Sequence, residues 1–317
     1  LPAVPQSIPC RPISVHQTQQ AEQRIRNQLT QLGLSEHVGY SFISSQQQQC
    51  VLGASPHVVE LENPLSLKMD VLRMSCWPGL LEAAQYNVAR QRSSIRLFEL
   101  GACFQLDATG TVTSHRVISG LIYGAQSPLQ WGLNQNPIDF YDIKGVCETL
   151  FSGVESCADW QVVPALVHHP ALHPGQSGTV CVEGEQIATM GMLHPQLMKQ
   201  FKLSEPVGLF EIQLDILLEQ TTAQVQPVSK YPGMRRDLSF MIDHTVEFDT
   251  VLKKIQENKT DDLQKVILFD IYQGKAVEQG QKSMTLALYF KAENRTLTDE
   301  VVSLQVERLT QILETSL

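Results

Sequence analysis

The stretch LQKVILFDIYQG, residues 263–274, carries the pattern that decides the fold of the C-terminal third of the chain. An apolar run leads into an acid and an aromatic residue two positions apart, and a glycine follows. Side chains of a β-strand alternate between its two faces, so the pattern predicts Ile267, Phe269 and Ile271 on a buried face. Asp270 and Tyr272 then share the opposite face.

The segments around this stretch alternate between strand-like and helix-like patterns. Two further strands and two amphipathic helices are predicted: strands at 237–242 and 282–290, and helices at 247–258 and 298–314. The resulting order, β-α-β-β-α, is typical of a ferredoxin-like split βαβ unit. The chain stops where a fourth strand would complete that unit.

Two helices are enough to cover one face of this small sheet, and we call the other the open face. It is predicted to carry Asp237, Ser239, Asp270, Tyr272, Ser283, Thr285 and Tyr289. An antiparallel sheet can leave one face in water. Aromatic residues among short polar groups on such a face are also the arrangement that stacks unpaired RNA bases. Periodicity alone leaves both interpretations open.

Bulk composition excludes several classes of protein. A length of 317 residues predicts two domains, and a net charge of −9 argues against DNA binding or bulk electrostatic binding of RNA. No run is apolar enough to span a membrane, and no signal peptide opens the chain. The Pro-rich start without methionine indicates a piece of a longer protein. Seven cysteines scattered singly suit reduced thiols in the cytoplasm.

The first two-thirds of the chain mixes helices with long strands. We predict helices at 14–32, from Pro78 and at 141–154, and strands at 38–44, 95–106 and 110–124. Residues 221–233 lack periodicity and contain two prolines, which predicts a domain boundary. The expected organisation is a module at 1–220, a linker at 221–229 and the small sheet domain at 230–317.

Several longer motifs resemble one known family. KYPGMRRDLSF (230–240), LFDIYQG (268–274), GQKSMTLALYF (280–290) and RTLTDE (295–300) resemble the ferredoxin-fold anticodon-binding domain of phenylalanyl-tRNA synthetases. Residues 61–90, IRLFELG (95–101), DFYDIKG (139–145), LHPGQSG and MGMLHP resemble the catalytic-like module of the same enzyme's beta subunit. That module is similar in fold to a class II synthetase core, so the implied fold class is α+β, with an antiparallel sheet module followed by a ferredoxin-like domain.

The resemblance implies a non-catalytic part of an aminoacyl-tRNA synthetase, a cytoplasmic enzyme. It would pack against a catalytic alpha subunit in an α2β2 assembly and bind the anticodon of phenylalanine tRNA. The full enzyme uses ATP and magnesium to attach phenylalanine, whereas this portion is expected to hold no cofactor and no metal.

The arginines indicate that this module has no activity of its own. Class II synthetases use fixed arginines to hold the ATP phosphates, one of them late in the fold. No arginine lies between Arg116 and Arg235, and GLFEIQLDILLE (208–219) occupies the expected place of the late motif. Arg73 and Arg96, near the earlier motif, are interpreted as structural. We therefore expect no catalytic residue.

The resemblance also implies the tRNA site. Tyr272 would stack on the first anticodon base, Asp270 would accept hydrogen bonds from N1 and N2 of guanine, and the Ser283 hydroxyl would complete the pocket. Phosphate contacts are expected from nearby basic residues: Arg235, Arg236, Lys282 and Arg295.

Two alternatives remain at this point. The open face could dock a protein partner instead of RNA. A metal-dependent hydrolase could be built on histidines that lie close in sequence: His168, His169 and His173, with Cys181 and His194 downstream. Their spacing matches no common metal motif, and zinc hydrolases need three ligands and an open position.

Overall fold

A computed structural model describes residues 17–316 except 56, 153, 155–159, 165–168, 183, 219–229, 275–276 and 278–279. The chain divides into two compact units, Leu1–Ala223 and Gln224–Leu317. The linker predicted at 221–229 and the first residues of the helix predicted from Ser14 lie outside the described residues. Among those described, no helix is long and apolar enough to cross a membrane.

The first unit is built on a seven-stranded sheet. Its strands are β1 (Ser35–Glu36), β5 (Ile95–Leu106), β6 (Val112–Tyr123), β7 (Gln161–Pro164), β8 (Leu172–Val182), β9 (Glu185–Leu193) and β10 (Val207–Gln213). They lie in the order β1-β5-β6-β10-β9-β8-β7, and all pairs are antiparallel except β1 with β5. A small second sheet has the order β2-β4-β3, formed by β2 (Phe42–Ile43), β3 (Val59–Glu60) and β4 (Val71–Leu72).

Helices bury apolar residues against the large sheet in two separate cores. The helices are α1 (Gln17–Gln31), α2 (Ser45–Leu52), α3 (Trp77–Val88), α4 (Phe140–Phe151), α5 (Pro195–Gln200) and α6 (Leu214–Leu218). Helices α1 and α4 contribute to the core that contains Phe98 and Phe210. Helix α3 contributes Trp77 to the core that contains Leu121 and Leu209. Adjacent strand residues thus point to opposite cores, which explains why β10 is apolar almost throughout.

Most elements of this unit agree with the sequence prediction, and one does not. The strands predicted at 95–106 and 110–124 form the β5–β6 hairpin, and α4 begins at an Asp139 capping box. The strand predicted at 38–44 is wrong, because only Phe42–Ile43 pairs with β4. The polar residues after Ser44 form α2 instead. Their helical periodicity is weak, so the sequence pattern did not reveal that helix.

The second unit has the predicted β-α-β-β-α order. Its elements are β11 (Met234–Asp243), α7 (Phe248–Asn258), β12 (Leu263–Tyr272), β13 (Gln281–Phe290) and α8 (Asp299–Ser316). The strands are antiparallel in the order β11-β13-β12. Both helices pack with one sheet face in a single core: Val251 and Ile255 from α7 and Val302 from α8 are buried with Leu286 and Leu288. The split βαβ fold is therefore confirmed for this unit.

The prediction of which side chains of β12 face the core is wrong for the middle of the strand. The pairing of β12 with β13 slips between Leu263 and Lys265 and again between Leu268 and Asp270. Because of the first slip, Val266 and Leu268 join the core and Ile267 pairs with Ala287 on the open face.

The second slip restores the predicted faces at the end of the strand. Phe269 is its extra, unpaired residue and is 50% exposed. After it, Asp270 pairs with Thr285 and Tyr272 with Ser283, so both lie on the open face as predicted.

A buried ion pair connects β5 with the loop before α3. Arg73 is 4% exposed, and its Nη1 lies 2.5 Å from Oε1 of Glu99 while its Nε donates to the carbonyl of Ala102 (3.0 Å). The other oxygen of Glu99 forms a 2.9 Å hydrogen bond with His37 Nδ1. A Cβ on Gly101 would lie 3.0 Å from Cζ of Arg73 and closer still to Nη2, so only glycine fits there.

The pKa of Glu99 follows from these contacts. Burial alone would raise it, but hydrogen bonds from His37 and Arg73 and the charge of Arg73 outweigh burial and lower the pKa. Because the pKa is lower in the folded state, the ionised carboxylate stabilises the fold above about pH 5. This stabilisation is lost as the pH falls through the folded-state pKa.

We expect Glu99→Gln to lower the unfolding free energy at pH 7 by roughly 3–5 kcal/mol, because it leaves a buried arginine charge without its counter-ion. The difference between variant and wild type should shrink as the pH is lowered from about 6 to 3.5. Urea unfolding followed by tryptophan fluorescence measures both quantities, since all three tryptophans (Trp77, Trp131 and Trp160) belong to the first unit.

The matched control is Glu36→Gln. Glu36 pairs with Arg26 at 2.8 Å near the surface, where an ion pair contributes at most about 1 kcal/mol. Equal urea midpoints for Glu99→Gln and Glu36→Gln at pH 7 would contradict a stabilising role of the buried pair.

Candidate nucleic-acid interface

One corner of the open face brings together the residues that the sequence singled out. Two neighbouring rows of paired residues cross the three strands there: Tyr272–Ser283–Met241 and Asp270–Thr285–Ser239. Tyr272 and Met241 are each about half exposed, at 47% and 48%. The corner therefore offers an aromatic ring, a carboxylate, hydroxyls and a thioether on one accessible surface.

The ring of Tyr272 is held by the glycine that follows it. A Cβ built on Gly274 would lie 2.6 Å from Cζ of Tyr272, and closer still to its hydroxyl, so the phenol end of the ring lies against this backbone. The φ of Gly274 lies outside the left-handed region. Its missing side chain, rather than an unusual backbone angle, is what this position requires. Tyr272 keeps 47% of its surface exposed, so the ring is accessible to a ligand.

Asp270 has hydrogen-bonding capacity to offer a ligand. Its side chain is exposed, and within the described part of the chain its carboxylate makes no hydrogen bond or ion pair. In the same row, Ser239 donates to the hydroxyl of Thr285 (3.1 Å). A carboxylate beside an exposed ring can accept two N–H bonds from the edge of a stacked base.

Of the four basic residues predicted as phosphate contacts, only Arg235 lies on the open face. Arg236 pairs with Leu288, on the side of the core, and is bound to Asp299 of α8. Lys282 is only 9% exposed and donates to the carbonyl of His244 (3.0 Å).

Arg295 lies off the sheet, and its Nη2 binds Asp262 at 2.7 Å. Internal partners hold Arg236, Lys282 and Arg295, so each would have to leave its partner to contact a phosphate, and these three contacts stay predictions.

The sequence pattern missed Phe269. It predicted this ring in the core, whereas the second register slip leaves it half exposed with the guanidinium of Arg235 over it, 5.2 Å from Cζ to the ring centroid. The same guanidinium lies 5.8 Å from the ring of Tyr289. An apolar run gives no signal of where its strand slips, so this cluster could not be predicted from alternation.

The three described histidines behind the hydrolase alternative, His169, His173 and His194, each make local contacts. His169 packs edge-on against Trp77, accepts from the Ala171 amide (3.1 Å), and has its pKa lowered by burial to about 4. His173 and His194 each accept a bond from a nearby backbone amide. His168 lies outside the described residues. In the part of the chain that the structure describes, no histidine belongs to a metal-type cluster.

A different set of ligand-type groups lies in the first unit. The side chains of Cys76, Cys103 and Glu211 offer ligand atoms within 4.8 Å of one another. However, one oxygen of Glu211 already accepts bonds from Ser75, Ser119 and the Cys76 amide. Burial raises the pKa of the Glu211 carboxyl. These contacts are those of a satisfied internal network.

The first unit exposes large apolar side chains in two regions of the sequence. Those from the loops of the first region include Val38 and Tyr40 at one stretch and Leu65 and Leu67 at another, and the second region holds Leu129, Trp131 and Leu133. Trp131 is 99% exposed. Large apolar groups concentrated on a surface are typical of protein–protein contacts.

Comparisons with known proteins match both units. Residues 1–214 match the family model described as "Phenylalanyl tRNA synthetase beta chain CLM domain", and residues 229–317 match the "Ferredoxin-fold anticodon binding domain". The chain is 34% identical over 304 residues to the phenylalanine–tRNA ligase beta subunit of Nitrosospira multiformis and 37% identical over 300 residues to that of Coxiella burnetii. These alignments cover 95% and 94% of this chain but 37% of each relative.

A solved structure supports the fold of the first unit. The crystal structure of pyrrolysyl-tRNA synthetase from Desulfitobacterium hafniense matches 63% of this chain and 68% of its own, with a TM-score of 0.50 and 16% identity. The expected class II synthetase-like fold is therefore confirmed.

Proposed function

The chain belongs to the family of phenylalanyl-tRNA synthetase beta chains, and from that premise we propose that its open face receives the anticodon loop of phenylalanine tRNA. The observation that carries the proposal is the corner where Tyr272 and Ser283 share one row and Asp270 lies in the next. This corner combines a surface for stacking with a group that reads a base edge, which is how proteins recognise unpaired RNA.

Each residue of the corner has a distinct role in the proposal. Tyr272 stacks on the first anticodon base, since the backbone of Gly274 lies against its ring and the residue is 47% exposed. Asp270 accepts hydrogen bonds from N1 and N2 of guanine, an edge that adenine does not present. The hydroxyl of Ser283, beside Tyr272, completes the pocket. Of the four predicted phosphate contacts, Arg235 is the one whose strand position faces this side of the sheet, where it is paired with Asp237.

We propose that the first unit packs against a catalytic alpha subunit in an α2β2 ligase. Its exposed apolar side chains, with Trp131 the most exposed, support such a contact. In this assembly the alpha subunit binds and uses ATP and magnesium. The present chain contributes tRNA binding to the attachment of phenylalanine.

The described arginines support a non-catalytic role for the first unit. Arg73 is paired with Glu99, and Arg96 donates to the carbonyl of Gln126 (2.6 Å). The place expected for the late arginine motif holds Glu211, whose carboxylate is the opposite of what a triphosphate requires. The pair of fixed cations that class II synthetases use on the ATP phosphates is therefore incomplete in the described part of this unit.

The chain alone is expected to catalyse no phenylalanine-dependent exchange between ATP and pyrophosphate, because that pair of cations is incomplete. Exchange is expected once a family alpha subunit is added and co-purifies with it. Exchange above the blank by the repurified chain, lost in Arg73→Ala or Arg96→Ala, would show instead that the unit is catalytic.

Substitutions at the corner should separate stacking from edge readout. Tyr272→Ala should lower kcat/KM roughly 5- to 150-fold, the equivalent of about 1–3 kcal/mol of stacking free energy, for tRNAs with either guanine or adenine at the first anticodon position. Asp270→Ala should lower it for guanine only and so erode discrimination. Aminoacylation by the reconstituted enzyme measures both effects.

Matched controls lie away from the open face. Tyr86, 57% exposed on α3, provides Tyr86→Ala, and Asp249 on α7 provides Asp249→Ala. If neither Tyr272→Ala nor Asp270→Ala differs from its control for either tRNA, the corner is only a solvated strand end.

Gly274→Ala is expected to reproduce most of the effect of Tyr272→Ala. The new methyl group would displace the ring, while the backbone angle suits alanine. Because both changes remove the same interaction, the double variant should be little worse than Tyr272→Ala alone. Binding of phenylalanine tRNA to the reconstituted enzyme measures this cycle.

Gly175→Ala is the control for that cycle, since its Cβ would make only ordinary contacts, at 3.6 Å from His173. Additive losses from Gly274→Ala and Tyr272→Ala would mean that the glycine does not position the ring.

A further inference from the structure

Phe269 is an apolar ring that the fold turns outward. It lies at the register slip between Leu268 and Asp270, and half of its surface is exposed. Register slips of this kind redirect side chains and are common next to functional sites. An aromatic ring is not required to keep the end of a strand in water. The exposed ring of Phe269 is therefore a candidate stacking surface for a ligand.

The guanidinium of Arg235 lies close to the rings of Phe269 and Tyr289, and we call these three residues the platform. The guanidinium lies over Phe269 at 5.2 Å and near Tyr289 at 5.8 Å, measured from Cζ to the ring centroids. Asp237 fixes the guanidinium by accepting from Nε (2.7 Å) and from Nη2 (3.2 Å). A planar guanidinium held beside two rings is a stacking surface for a base.

The platform adjoins the corner that is proposed to hold the first anticodon base. Phe269 precedes Asp270 in the chain and lies three residues before Tyr272, about 10 Å along the strand at 3.3 Å per residue. A base that neighbours the one on Tyr272 in an unstacked loop can reach it.

The platform has few groups that could read a base edge. Lys265 is exposed and pairs with Tyr289 in the row of Arg235, but a lysine acts as a point charge that suits a phosphate. The carboxylate of Asp237 is occupied by Arg235, and the row between the platform and the corner is lined by Ala287 and Ile267. Stacking without edge contacts tolerates any base, because every base has an aromatic face.

We propose that Phe269, Tyr289 and Arg235 form a second nucleotide subsite on the open face, which stacks a base adjacent to the one held by Tyr272 and Asp270 and accepts it whatever its identity. This subsite rests on the proposed function of the open face. It adds affinity to the recognition of the loop, whereas the corner supplies the preference for guanine.

The probe for this subsite is an RNA stem-loop with the anticodon loop of a phenylalanine tRNA and 2-aminopurine at one position beside the first anticodon base. Two versions carry the fluorescent base either before or after that position. With the reconstituted enzyme, stacking on the platform should quench one of them. Phe269→Leu should remove most of that quenching and weaken binding roughly 5- to 150-fold.

Conservative variants separate stacking from charge. Phe269→Tyr keeps a ring and should bind like wild type. Arg235→Lys keeps the charge but removes the plane, so it should weaken binding if the guanidinium stacks. Tyr86→Leu is the matched control, because Tyr86 is also an exposed ring under an arginine, with Cζ of Arg90 at 3.3 Å, but lies in the first unit.

The outcomes distinguish this proposal from the one on which it rests. If Tyr272→Ala weakens binding but Phe269→Leu and Arg235→Lys do not, the second subsite is overturned and the corner stands. If neither Tyr272→Ala nor Phe269→Leu weakens binding, the proposed function fails, and the subsite with it. If Phe269→Leu disrupts co-purification with the alpha subunit and leaves RNA binding unchanged, the platform is a protein contact and the subsite is overturned.

Discussion

The register slip between Leu268 and Asp270 is the constraint on which the surface of the second unit depends. Val266 and Leu268 already point into the core, so regular alternation would send Asp270 and Tyr272 there too. The extra residue, Phe269, reverses the parity and returns both polar side chains to the open face. One irregularity of the ladder thus creates the corner and exposes the ring beside it.

Most elements of the fold could be predicted from the sequence, because apolar spacing records which side of each element is buried. The faces of β12 could be predicted only at its end, since residues 266–269 are all apolar and alternation cannot show where a strand slips. Asp270, Tyr272 and Ser283 were correctly placed on the open face. For β12 this agreement arises because the two register slips each shift the alternation by one residue, so the second slip reverses the effect of the first. The orientation of Arg236 and Lys282 depends on partners distant in the sequence, Asp299 and the His244 carbonyl, which periodicity does not reveal.

The first unit keeps a class II synthetase-like fold while its polar interior is closed on itself. Arg73 is neutralised by Glu99, and the carboxylate of Glu211 is surrounded by hydroxyl and amide donors. A buried charge that is fully paired stabilises one arrangement of the chain but has no capacity left for a phosphate. The absence of arginine between residues 116 and 235 indicated this from sequence, whereas the pairing itself required the three-dimensional contacts.

The charge of the chain bears on how the open face would bind RNA under the proposed function. The chain carries 33 acids against 24 lysines and arginines, so its net charge does not attract RNA. Arg236, Lys282 and Arg295 are held by internal partners, and Arg235 is paired with Asp237. Lys265, exposed in the row of Tyr289, adds a positive charge to this face, and the faces and edges of unpaired bases add contacts that a duplex cannot offer. Such contacts are accessible only where bases are unstacked, so the proposed site would select splayed, single-stranded loops over double-stranded nucleic acid.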